Sequence, residues 1–203
     1  MSSTKSNNKL EHGPNRYRAI HGYINSSNPI SLRALLKETS ELLELPANAT
    51  LLDPSKICTD GELLEKAVKF YNGGRTFNIS KKDISDCYTV LLEVDDNQSS
   101  IIGAVTFAPF IVDETELIVY IMLIKVKESH KGNGTILFNI IKDFVMKCHS
   151  STDHSEVLLL LSASTALAPH AFFEKQGCKI VTDRDLLKLT QKDSTLMCLD
   201  IKG

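Results

Sequence analysis

The apolar positions of this chain change period several times, and each change marks an element. Between residues 30 and 45, Leu32, Leu35, Leu36, Leu42 and Leu43 recur at helical spacing, with Pro29 near the start and Pro46 at the stop, which predicts a helix. A second helix is predicted over 61–71, burying Leu64, Ala67, Val68 and Tyr71 and closing at Asn72-Gly73-Gly74, where left-handed backbone is easy. The period then shortens. Residues 88–94 are β-branched and apolar, 95–100 make a polar turn, and 101–107 form a second strand, so the pair reads as a hairpin. Residues 117–126 are apolar on both faces, as in a central strand. Over 136–148 the helical period returns, with Ile136, Ile140 and Phe144 on one line and Leu137, Ile141 and Val145 on the next, the stripe of a helix packed on a sheet. A strand at 157–161, a short helix at 166–176 closed by Gly177, and strands at 178–181 and 195–201 complete the pattern. The sum is an α+β (mixed α/β) chain: one mixed sheet flanked by helices, with helices before the hairpin. Residues 1–15 are polar and read as a disordered tail, leaving 16–203 as a single domain.

Composition narrows the function classes. With 23 Lys and Arg against 25 Asp and Glu, the net charge of -2 gives no basic field for nucleic acid, so no direct nucleic-acid partner is expected. Five scattered cysteines without CxxC spacing suit free thiols in a reducing compartment, and six histidines share no ligand spacing with them, so no metal site is expected. No apolar leader or spanning segment is visible, which predicts no membrane partner and a nuclear or cytoplasmic protein.

The segment Lys131-Gly132-Asn133-Gly134-Thr135 stands between the central strand and the long helix. A strand, a glycine turn and a helix in that order expose backbone N–H groups at a helix N-terminus, where an anionic phosphate is favoured. Glycine permits positive φ and a close approach of backbone to the anion. Leu137 stands where a dinucleotide fingerprint needs a third small residue, and Lys131 precedes the glycine where a Walker loop needs lysine after it, so neither pattern applies.

The turn Ser129-His130-Lys131-Gly132-Asn133-Gly134-Thr135 resembles the (Arg/Gln)-x-x-Gly-x-Gly/Ala turn of the GNAT superfamily of acetyl-CoA-dependent N-acetyltransferases. Downstream, Ala171-Phe172-Phe173-Glu174-Lys175-Gln176-Gly177-Cys178 resembles that superfamily's A-x-x-F-Y-E-K-x-G-F segment. Glu128 with Lys131-Gly132-x-Gly134-Thr135, Phe173-x-Lys175-Gln176-Gly177, and Lys192-Asp193 with Thr195-Leu196-Met197 are similar to the PCAF-type histone lysine acetyltransferases. The resemblance implies acetyl-CoA as co-substrate, with its pyrophosphate on the N–H groups of Asn133 to Thr135. Ser129, His130, Lys131 and Gly132 complete that loop, Met122, Leu123 and Ile124 line the thioester end, and Phe172 and Phe173 lie beside the pantetheine. It implies transfer to a primary amine, above all a histone-type lysine on a protein substrate. The alternatives are a small-amine or protein N-terminal acetyltransferase, and a degenerate domain that binds acyl-CoA or a partner without turnover. Ser129 replaces the usual Arg or Gln, and Phe173 replaces a tyrosine that protonates the leaving thiolate in many members.

An amine must lose a proton before it attacks a thioester, so a base is required. Thr115-Glu116-Leu117 resembles the branch's Thr-Glu-Ile, and Glu116 is the first candidate; an ungapped alignment from the glycines puts Ile118 at the glutamate's position instead. Strand parity sets Glu116 on one face with Ile118, Tyr120, Met122 and Ile124, and Tyr120 is the second candidate. A two-residue insertion, or a bulge in this strand, would restore Glu116 to the glutamate's position. Met122 is the implied backbone donor to the thioester carbonyl.

Overall fold

The computed structural model describes residues 41–54, 61–74, 78–94, 100–112, 116–128, 131–151, 156–164, 169–182, 187 and 194–200. The tail expected at 1–15 and most of the helix expected at 30–45 lie outside these residues. The last part of that helix, 41–45, is described and is not helical. Leu42, Leu43 and Leu45 nevertheless pack against the core.

The chain order is β1 (Ala49–Leu52), α1 (Gly61–Asn72), α2 (Lys81–Ile84), β2 (Tyr88–Glu93), β3 (Ile101–Val112), β4 (Glu116–Val126), α3 (Asn133–Ser151), β5 (Glu156–Ser164), α4 (His170–Lys175), β6 (Lys179–Ile180) and β7 (Ser194–Asp200). The strands form one sheet in the order β1-β2-β3-β4-β5-β7-β6. Only β4 and β5 run parallel, as their connection through α3 requires. The sequence pattern did not announce β1 or α2: β1 has four residues and follows a proline, and α2 is a single turn. β3 runs five residues past the expected end at 107.

Both faces of the sheet are covered, which explains the unbroken apolar run of β4. On one face Leu137, Ile141, Phe144, Val145 and Cys148 of α3 pack against Val105, Phe107, Leu117, Val119, Ile121 and Leu159. On the other, Leu64, Ala67 and Tyr71 of α1 pack near Leu91, Ala104, Ile118, Tyr120 and Leu160. Ile136, expected in the α3 stripe, is 45% exposed. At 3.6 residues per turn it lies about 140° around the helix from Ile141, which is fully buried, so it points away from the sheet. Gly103 lets the first turns of α3 settle on β3, since a Cβ there would come 3.1 Å from Leu137 Cδ1. The start of α3, and the glycine turn before it, is thereby held at one level of the sheet.

Candidate active site

The decisive feature is a change within β4. From Glu116↔Glu156 to Ile121↔Leu161 the strand pairs with β5 in parallel register. Beyond Leu161, the residues of β5 up to Ser164 pair with β7. Among the described residues, then, the main chain of Met122–Val126 is paired only with β3, and β4 and β5 part at this point. The β3 ladder slips at the same place: Thr106 faces Leu123 but Phe107 faces Ile121, leaving Met122 as an extra residue, a β-bulge. The bulge resets which side chains face which helix. Met122 and Leu123 both lie on the α1 side with Ile118 and Tyr120. Ile124 and Val126 lie on the α3 side. The expected common face for Ile118, Tyr120, Met122 and Ile124 therefore fails at Ile124, because one inserted residue inverts all later positions.

The glycine turn follows this open end. Gly132 has φ 96, and a Cβ there would meet nothing within 4 Å, so the glycine is required by conformation and not by crowding. The Thr135 and Ile136 N–H groups donate to Gly132 O at 3.0 and 3.2 Å and start the helix. The Thr135 donor, expected for a pyrophosphate, is thus used by the helix itself. Asn133 and Gly134, its first two residues, have no intrahelical acceptor for their N–H groups. The side-chain nitrogen Nδ2 of Asn133 is buried, and no described residue accepts a hydrogen bond from it. A buried donor without an acceptor is costly unless a ligand or water completes it, so this corner fits an oxygen-rich anion. Lys131 beside it is exposed. Ser129 and His130 lie outside the described residues.

A Cβ at Gly134 would lie 3.5 Å from the Phe172 ring, an ordinary van der Waals contact, so packing against α4 does not by itself demand glycine. Phe172 meets Phe138 edge-on at 6.3 Å, and Phe173 lies 5.0 Å from Phe172 and 5.9 Å from Phe138. Phe173 is 4% exposed and belongs to the α3-side core. It is a packing residue in a place where the resemblance puts a tyrosine in many members and a phenylalanine in the histone acetyltransferase branch.

The acid–base candidates stand unequally. Glu116 is the first residue of β4, opposite Val112 and Glu156. It stands six positions before Met122, about 20 Å of strand. Tyr120 is two residues away, buried on the α1 side. Sequence reasoning passed over three further groups here. The fully buried Cys87 places Sγ 3.1 Å from Met122 Sδ, and burial, then the charge of Asp86, pushes its thiol far above the ordinary range, so it is no nucleophile at neutral pH. Tyr71, Thr106 and Thr89 form a buried hydroxyl chain with spacings of 2.9 and 2.8 Å. Lys125 reaches α1. All are long-range contacts, and no local spacing signals them. Among the described residues, no group of three or more His, Cys, Asp or Glu is placed to hold a metal ion, and no helix is long and apolar enough to cross a membrane.

No protein-family model and no curated protein matches the chain. Solved structures do. Arabidopsis thaliana NAA60 in complex with a bisubstrate analogue superposes with a TM-score of 0.55 at 15% identity, over 76% of this chain and 99% of that one. NAA60 from the same plant in complex with acetyl-CoA gives 0.51 at 17% identity, over 76% and 98%. The NatC complex bound to Gag peptide and CoA gives 0.51 at 14% identity, over 76% and 98%. At such identities the likeness is one of architecture, and with the parted parallel strands and the bulge it establishes that this chain has the GNAT fold.

Proposed function

We propose that the protein is an acetyl-CoA-dependent N-acetyltransferase whose acceptor is an amine on a protein chain. The observation that carries this reading is the parting of β4 from β5 immediately after Ile121 and Leu161, with a bulge at Met122 and a glycine-turned helix start following on the same strand. A gap between parallel strands leaves main-chain groups of Met122–Val126 unclaimed by β5, and a pantetheine arm can complete them as a substitute strand. The helix start, with Gly132 and the buried Asn133 amide, would take the pyrophosphate. Acetyl-CoA, when bound, supplies an activated acyl group on a thiol leaving group. The chain then holds acceptor and thioester together, and the Met122 N–H is the candidate donor to the carbonyl oxygen as it gains charge. Tyr120 is the nearer acid–base candidate, and Glu116 could act only through intervening water. A peptide acceptor accords with neighbours of the same fold that bind a bisubstrate analogue or a Gag peptide with CoA. Within that class, a histone-type lysine rests on the sequence resemblance around Lys131-Gly132 and Thr195-Leu196-Met197.

One observation favours a second reading, a domain that binds coenzyme A without turnover. Among the splayed residues Met122–Val126 and Ser162–Ser164 there is no histidine and no carboxylate. A single assay separates the two. Acetyl transfer is measured against histone peptides, peptides with free N-termini and polyamines, with coenzyme A binding followed by calorimetry. Transfer to a peptide supports the enzyme, binding without transfer supports the second reading, and absence of binding overturns both.

A further inference from the structure

Lys125 stands on the splayed half of β4, paired with Ala104 of β3. Its ammonium leaves the sheet and donates to the Phe70 and Tyr71 carbonyl oxygens in the last turn of α1, at 2.9 Å each. It also lies 5.4 Å from the centre of the Phe70 ring. The last carbonyls of a helix have no intrahelical donor, and its negative end favours a cation, so this lysine completes α1 from a distant strand. Partial burial draws its pKa below the ordinary lysine range, and in such surroundings its two hydrogen bonds are stronger than they would be in water. Tyr71 is tied a second time through its hydroxyl, 2.9 Å from Thr106 Oγ1. Thr106 faces Leu123 and Ala104 faces Lys125, so both ties land on the β3–β4 ladder just beyond the bulge.

Before Met122, β4 is fixed by neighbours on both sides. After it, among the described residues, the sheet holds one side only, and the bonds from Lys125 to α1 supply the missing restraint. We propose that Lys125 is a positioning residue for coenzyme A: by pinning the splayed half of β4 to α1, it fixes the main chain along which the pantetheine arm lies. This inference rests on the function proposed above. The glycine turn, built by Gly132 and the start of α3, is a separate construction, so the two halves of coenzyme A report on different parts of the protein.

The test is calorimetry on the full chain with two probes, coenzyme A and its phosphorylated ADP half without the pantetheine arm. K125M should weaken coenzyme A by tenfold or more, about 1.4 kcal/mol, while the ADP half binds within about twofold of wild type. K125R keeps charge and donors and should recover coenzyme A binding to within about threefold. Should K125M not fold, K125Q, which keeps two donors without charge, should show the same split at threefold or more. Equal losses on both probes would mean general damage and overturn the proposal, as would undiminished coenzyme A binding. A wild-type chain that binds neither probe overturns the functional reading itself, a result distinct from the other two.

Discussion

The two halves of β4 have nearly the same composition and opposite roles. Leu117 to Ile121 is apolar, buried and hydrogen-bonded to β3 and β5, and its side chains feed both cores. Met122 to Val126 is almost as apolar, yet among the described residues its main chain pairs with β3 and not with β5, and the side chain of Lys125 ties it to α1. The first half converts sequence into stability, because every main-chain group is satisfied within the sheet. The second half leaves main-chain groups for something else to satisfy. One strand is thus paired on both sides in its first half and toward β3 in its second, divided by a single inserted residue.

The largest effect expected on that division comes from the turn that ends it. Gly132→Val places a β-branched side chain at φ 96. It should lower coenzyme A affinity by more than about 100-fold while costing about 1–2 kcal/mol of stability, read by calorimetry and thermal melting. Binding within tenfold of wild type would sink the assignment of this turn to the pyrophosphate. In the paired half the outcome should reverse: Leu117→Ala removes a fully buried side chain and should cost about 2–5 kcal/mol with coenzyme A affinity nearly unchanged in the folded protein. If binding falls with stability, the two halves are not separable.

Phe173→Tyr comes next. Its hydroxyl enters the cluster of Phe138 and Phe172, so about 1–3 kcal/mol of stability should be lost and turnover should not rise. A gain in turnover would place this ring at the thioester after all. Smaller still is the contrast between the acid–base candidates. Tyr120→Phe should lower acetyl transfer by about tenfold, and Glu116→Gln by less than about threefold, because only the former is near the bulge. The reverse order would require a water chain from the start of β4. The buried thiols, which lie in the α3-side core, respond to pH instead. Burial pushes Cys148 and Cys178 up to about 12. Their folded pKa values stand above the unfolded one of about 8.5, so their contribution to stability is complete below that value and is lost as pH rises toward 12. Urea midpoints should fall between pH 8 and 10, and Cys148→Ala should make that fall shallower.

Much of the fold was legible because its elements carry local periods. The α3 stripe, the hairpin of β2 and β3, and the apolar β4 all follow from side chains a few positions apart. The glycine turn was legible for the same reason, since a strand, two glycines and a helix are consecutive. The bulge was not. With apolar residues on both faces of β4, no alternation exists to betray a slip, and the register is written in β3, where Thr106 and Phe107 face Leu123 and Ile121. The contact between Gly134 and Phe172 was equally hidden, because Phe172 arrives from a helix that follows in sequence after β5.

By itself, then, the sequence determined where the chain bends, which helix faces the sheet and where the glycine turn falls. These depend on local backbone preference and short-range periodicity. The tertiary structure alone decided where β4 is left unpaired, which way Ile124 points, and what holds Lys125, whose acceptors Phe70 and Tyr71 lie 55 and 54 residues earlier. Those depend on register between strands and on the partners available to polar groups, which exist only once distant segments have been brought together.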